Sequence, residues 1–145
     1  MEGMSNIVKK VTQLMSGLIF MYGLYIITHG HLTPGGGFAG GAIVAGAFII
    51  LILAFGSKAL SLKKEENATS ITESSAILIV LVLAAIGMAA GGAVFFNNYL
   101  PLGRLGELIS AGVIPLYNIF IGMEVAAALL TIFLAFVIYK EEVLK

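Results

Sequence analysis

The stretch GGGFAGGAIVAGAFIILILAF, residues 35–55, contains no polar side chain. At 1.5 Å per residue it covers a hydrocarbon core of ~30 Å, and an uncharged run of ~18 or more residues reads as a membrane-crossing helix. A barrel strand would alternate in polarity over ~10 residues, and an open sheet edge cannot face lipid. Neither description fits these residues, so a helix is the reading.

Three further apolar runs surround it, at about residues 11–28, 76–96 and 114–139. The run at 76–96 is as clean as the first. The run at 114–139 carries Asn118, Glu124 and Thr131. Together they predict an all-α, integral membrane four-helix protein, in one membrane domain spanning residues 1–145. The composition agrees. The chain of 145 residues is 59% hydrophobic and 11% charged, with a mean hydropathy of +1.05. Soluble domains carry about 25% charged residues. There is no cysteine and no aspartate, and eight basic residues balance eight glutamates. Disulfides, thiolate chemistry and cysteine-held clusters are excluded, as is a basic surface for nucleic acid. No nucleotide-binding fingerprint is present. The chain is expected to hold no cofactor and no metal of its own.

Lysine and arginine set the orientation. Lys9, Lys10, Lys58, Lys63, Lys64, Lys140 and Lys145 fall on one side if both termini are cytoplasmic, leaving Arg104 alone outside. The expected arrangement is N-in/C-in in the cell membrane, multi-pass. Lys9 and Lys10 ahead of an apolar run also resemble a signal peptide, but no small-residue cleavage site follows, so the first span is read as retained. The Asn67-Ala68-Thr69 sequon then lies inside, and Lys63-Lys64-Glu65-Glu66 reads as a solvated loop. Leu102, Leu105, Leu108 and Ile109 share one side of a helix, which predicts a short interfacial helix over about 102–111.

Small residues recur four apart. Gly36 with Gly40 and Gly37 with Gly41 overlap, and Gly87 with Gly91 repeats the device beside Ala85, Ala89 and Ala93. Such faces let another backbone approach closely. They serve either packing within the four helices or docking of other membrane subunits. The Gly-rich connection between the first two spans holds His29, His31, Pro34, Gly35, Gly36 and Gly37. It reads as a tight outer turn with its histidines at headgroup level. The alternative is an ordered loop whose free backbone groups meet water, an ion or another subunit. Two imidazoles without a nearby carboxylate or thiolate make a weak metal site.

Glu124 sits close to the middle of the fourth span. A charge there costs at least ~2.5 kcal/mol on insertion scales. No basic residue of this chain lies in any expected span. Tyr117, Glu124 and Thr131 are seven apart and form one narrow stripe on a helix, with Asn118 off it. Of the sixteen charged residues, Glu124 is the one expected within the membrane. The stripe and the two histidines are candidates for an ion path. The alternative for Glu124 is a hydrogen-bonded structural carboxyl that fixes a subunit contact.

Gly23, Tyr25, Gly30, His31, Pro34, Gly35, Gly36, Gly37, Phe38, Gly40 and Gly41 form a G-x-Y-x-x-x-x-G-H-x-x-P-G-G-G-F-x-G-G string. Ser110-Ala111-Gly112-Val113-Ile114-Pro115-Leu116-Tyr117-Asn118, then Gly122 and Glu124-Val125, form a second. Both resemble the MnhB/MrpB family, small membrane subunits of multisubunit Mrp-type sodium/proton antiporters, and the late string looks more like archaeal members. The resemblance implies other small membrane subunits and large antiporter-like subunits as partners, with Na+ or H+ as the moving ion. In some archaea it implies ferredoxin-driven hydrogenase or sulfur-reducing complexes, whose metal clusters belong to other subunits. It does not assign a role to Glu124. The chain is accordingly read as a subunit that contributes to ion translocation or to assembly of the ion path, and as non-catalytic by itself. A purely structural subunit and a self-sufficient small-cation exporter are the alternatives.

The orientation is open to direct test, because single cysteines have no background in this chain. A cysteine replacing Glu107 should react with a membrane-impermeant maleimide on intact cells, and one replacing Lys64 only after permeabilisation. The reverse pattern inverts the topology.

Overall fold

The computed structural model describes residues 4–56, 62–90, 94–104, 106–107 and 110–143. Four helices follow one another: α1 (Asn6–His29), α2 (Gly37–Phe55), α3 (Leu62–Ala89) and α4 (Ile114–Val143). Each contains a segment long and apolar enough to cross a bilayer. The all-α membrane fold is therefore as expected. Lys58, Gly91, Ala93, Leu105, Leu108, Ile109 and Lys145 lie outside the described residues.

Ser5 starts α1, its hydroxyl accepting from the Val8 N–H at 3.5 Å. At the other end Thr33 returns to the last turn, its N–H and hydroxyl both donating to the His29 carbonyl. Gly35 and Gly36, at φ of +148° and +94°, then reverse the chain into α2. Side chains other than glycine rarely adopt such angles. The connection is thus the tight turn expected. The antiparallel hairpin closes where the Met4 N–H donates to the Ala54 carbonyl at 2.9 Å and Lys9 lies over the Phe55 ring.

Inside a bilayer helices gain little from burying apolar surface, so they associate by close packing of small residues. The glycines of α2 do this on two sides. A methyl group at Gly40 would lie 2.5 Å from Ile27 and 2.9 Å from the Gly23 carbonyl, so this side faces α1. A methyl at Gly37 or Gly41 would lie 2.5 Å from the carbonyl of Asn118 or Gly122, so that side faces α4. Gly122 in turn makes room for Ile27 of α1. Ile27, Val44 and Ala126 form the buried core of this three-helix junction. The overlapping glycine pairs of α2 are consumed within the chain. They are not a free docking face.

Helix α3 packs on α4 and makes little contact with the other two. Ala76 and Ala84, each 1% exposed, close this seam. Its register is set by Thr131, whose hydroxyl lies 2.8 Å from the Thr69 hydroxyl.

Two expectations are corrected here. The third helix covers Leu62–Ala89, so residues 94–96 lie outside it, and its segment long and apolar enough to cross a bilayer is Glu66–Ala89. Since it begins at Leu62, Lys63-Lys64-Glu65-Glu66 is helical and not a loop. The polar first half tolerates this because its hydroxyls bond back to its own carbonyls. Thr72 reaches Ala68, Ser74 reaches Ser70 and Ser75 reaches Thr72, all at 2.8–3.0 Å. At the far end the apolar residues 94–96 leave the helix and the chain turns back. The Asn97 backbone packs against Gly87, where a methyl would lie 2.6 Å from its carbonyl. Gly87 thus receives its own connection and not a partner helix.

Second, no interfacial helix is present over 102–111 among the described residues. Gly103 and Gly106 take φ of +64° and +88°, which interrupts helical geometry. Asn98 holds this connection instead. Its Oδ1 accepts from the N–H groups of Leu100 and Val113, tying the α3–α4 connection to the start of α4.

The glycine contacts predict a contrast. Gly41→Val should destabilise the chain in detergent by about 1–3 kcal/mol through overpacking. Gly46→Val, with nothing within 4 Å of the new group, should stay within about 0.5 kcal/mol. Denaturant unfolding of both variants checks this, and equal effects would refute the α2–α4 contact.

Candidate functional site

Of the stripe Tyr117, Glu124 and Thr131 on α4, Thr131 meets α3 and Tyr117 meets Phe96 in the connection that follows α3. Thr131 donates from this stripe to the Thr69 hydroxyl or to the Ala127 carbonyl at 2.9 Å, while Thr69 bonds the Glu66 carbonyl. Tyr117 is 8% exposed and packs against Phe96, with ring centroids 5.2 Å apart. Its hydroxyl has no hydrogen-bond partner among the described residues. Glu124 lies between these two contacts and is half-buried.

The histidines are not part of this stripe. His29 stacks on Tyr25 with centroids 4.1 Å apart, and its Nδ1 lies 3.2 Å from the Tyr25 carbonyl. It completes the end of α1. Both ring nitrogens of His31 are buried without a partner among the described residues. Among the described residues no three His, Cys, Asp or Glu side chains gather as a metal site.

The glycine turn meets α4 through Asn118. The first N–H groups of a helix need acceptors, and Gly36 as N-cap has no side chain to offer. The Gly37 N–H donates instead to Asn118 Oδ1 at 3.4 Å. Gly30 and Gly36 leave room for this side chain, since a methyl at Gly30 would lie 2.9 Å from Asn118 Nδ2. The sequence reading set Asn118 aside because it is off the stripe. The available signal was an amide in an apolar helix beside a loop with unsatisfied donors.

The reading also missed Glu73. Glu73 is half-buried and falls inside the apolar segment of α3. Since α3 and α4 run antiparallel with Thr69 opposite Thr131, Glu124 is level with Ala76. Glu73 is then level with Ala127, the middle of the fourth span. The two carboxylates differ in depth by about 4–5 Å at 1.5 Å per residue. Glu124 is therefore not the only carboxylate within a helix segment long and apolar enough to cross a bilayer.

On the other side of the seam an open groove of about 300 Å³ separates α1 from α3. Phe20 and Leu24 of α1, Thr69 and Thr72 of α3, and Met123 and Leu130 of α4 line it. It contains neither glutamate.

Four packed helices, each apolar enough to cross a bilayer, with a largely apolar outer surface, define a small membrane subunit. The family described as a domain related to the MnhB subunit of Na+/H+ antiporters matches residues 7–131, and the chain belongs to this family. The chain is 32% identical over 124 residues to the corresponding Na(+)/H(+) antiporter subunit of Bacillus subtilis, covering 81% of this chain and 85% of that one. An uncharacterized protein of Methanocaldococcus jannaschii is 37% identical over 143 residues, covering 95% of this chain. A chain of the membrane-bound sulfane sulfur reductase, an archaeal respiratory membrane complex, superposes with a TM-score of 0.74 at 31% identity over 92% of this chain. The present chain spans 53% of the M. jannaschii protein and 58% of the reductase chain.

A double-mutant cycle tests the register. Thr69→Val and Thr131→Val should be coupled by about 0.6 kcal/mol, the mean for such pairs in membranes. Strict additivity in detergent unfolding would place the two hydroxyls apart.

Proposed function

We propose that this chain is a non-catalytic membrane subunit of a sodium/proton antiporter module, and that it contributes Glu124 to the ion path. The observation that carries this reading is the position of Glu124. It is half-buried in α4, close to mid-depth. The chain's basic residues all lie at or beyond the helix ends. Ionisable side chains are costly in a bilayer and ordinarily face a polar route or a charged partner.

Membership in the MnhB family supports antiport as the activity of the whole assembly. The likeness to a chain of the sulfane sulfur reductase favours a respiratory membrane complex of archaeal type. Other small membrane subunits and large antiporter-like subunits are the partners in this reading. Redox groups belong to them, since a chain without cysteine supplies no thiolate for a cluster.

The N-in/C-in arrangement gains support from the bundle. The hairpin and the Thr69–Thr131 register bring Lys9, Lys10, Lys63, Lys64 and Lys140 to one end. Arg104 lies in the connection at the other. This asymmetry is what the positive-inside rule requires of the cytoplasmic face.

Tyr117 and Thr131 serve this reading as neighbours that position α3 against α4. His29 and His31 lie with the outer turn, where His31 is the better candidate for a polar contact because both its ring nitrogens are unsatisfied among the described residues. A purely structural subunit is the second reading, favoured by how fully the glycine faces are used within the chain.

Glu124→Gln keeps the shape and removes the ionisation. In the assembled complex it should lower Na+-dependent proton movement, measured in inverted vesicles, by about tenfold or more. Wild-type transport with normal assembly would make Glu124 structural.

A further inference from the structure

Glu73 and Glu124 converge on one margin of the α3–α4 seam. Successive residues of a helix are turned by about 100°. Thr72 and Met123 both line the groove toward α1. Relative to the Thr69–Thr131 contact, Thr72 and Met123 are turned about 60–80° toward that groove, and Glu73 and Glu124 about 20–40° the other way. In an antiparallel pair these two rotations carry both side chains to the same side. Ala76 and Ala84, each 1% exposed, are buried in the seam beside them.

That margin is uncovered, and its large side chains are apolar. Ile77, one turn beyond Glu73, is 57% exposed, and Ile132 on α4 is 54% exposed. A face of this kind bordering lipid would leave two carboxylates in hydrocarbon, at a cost of several kcal/mol. A water-filled cavity needs walls, and this chain supplies none beyond the two helices. Two carboxylates within one turn of depth also repel each other when ionised, and the described spans hold no lysine or arginine near that depth. A covering helix supplies the wall, and a basic side chain on it supplies the charge.

We propose that this margin of α3 and α4 is the docking surface for a transmembrane helix of another subunit, which places a lysine or arginine between Glu73 and Glu124. The proposal rests on the subunit reading above, but it does not require Glu124 to carry ions. It assigns Glu73 an intersubunit role.

Photocrosslinking in native membranes tests it in the assembled complex. A benzoylphenylalanine at position 77 or 132 should capture a different membrane subunit, and the cross-linked helix should contain Lys or Arg at matching depth. The same group at Met21, on the exposed side of α1, serves as the control. Glu73→Gln combined with Glu124→Gln should lower capture from position 77 by about tenfold or more, as loss of a buried interfacial charge pair does. Either single substitution should give part of that loss. Elution of the variant chain as the wild type in detergent shows that it remains folded. Capture of lipid only, or of a second copy of this chain, would overturn the proposal. So would unchanged capture in the double variant. If Glu124→Gln abolishes transport while the double variant keeps full capture, the ion-path reading stands and the docking surface does not.

Discussion

Close approach of helix backbones through small residues is the constraint on which the rest of this bundle depends. In lipid there is no hydrophobic gain from bringing helices together, so contact area and geometry must come from removing side chains at the crossing. Gly37 and Gly41 meet the carbonyls of α4, and Gly40 meets those of α1. Ile27 fills the space that Gly122 leaves. The unit α1–α2–α4 is thereby rigid enough to present the turn at residues 30–36 to Asn118. On the other flank, alanines perform the same task between α3 and α4.

The chemistry follows from where the helix contacts leave the carboxylates. Glu73 and Glu124 flank the Thr69–Thr131 contact on the side away from the groove. The hydroxyl contact between Thr69 and Thr131 fixes their relative depth. The cost of two carboxylates at that depth is not offset by a lysine or arginine near it in the described spans. It is this imbalance, and not any assembled catalytic group, that ties the fold to a function within a larger assembly.

Much of this was legible in the sequence. Four apolar runs marked four helices, and the glycine spacing in α2 marked its packing faces. The seven-residue spacing of Tyr117, Glu124 and Thr131 placed them toward one neighbour. The third span was misjudged for a physical reason. Hydropathy scores Thr69–Ser75 as too polar for a membrane helix, although a hydroxyl that donates to the carbonyl a turn earlier needs no water. The same scale extended the span over residues 90–96, where the returning Asn97 backbone instead packs on Gly87. The helix as it stands puts Glu73 within the segment long and apolar enough to cross a bilayer. Asn118 was overlooked because its partner, the Gly37 N–H, lies 81 residues away in sequence.

The depth of Glu73 is the measurement that bears most directly on this account. A nitroxide spin label replacing Glu73 in the membrane-embedded chain should collide strongly with dissolved oxygen and weakly with a water-soluble nickel chelate. Its ratio should match that of a label at position 127. A label at residue 73 that is as open to the nickel chelate as one at residue 64 would place it at the cytoplasmic surface. The register of α3 and the pairing of the two carboxylates would then both be wrong.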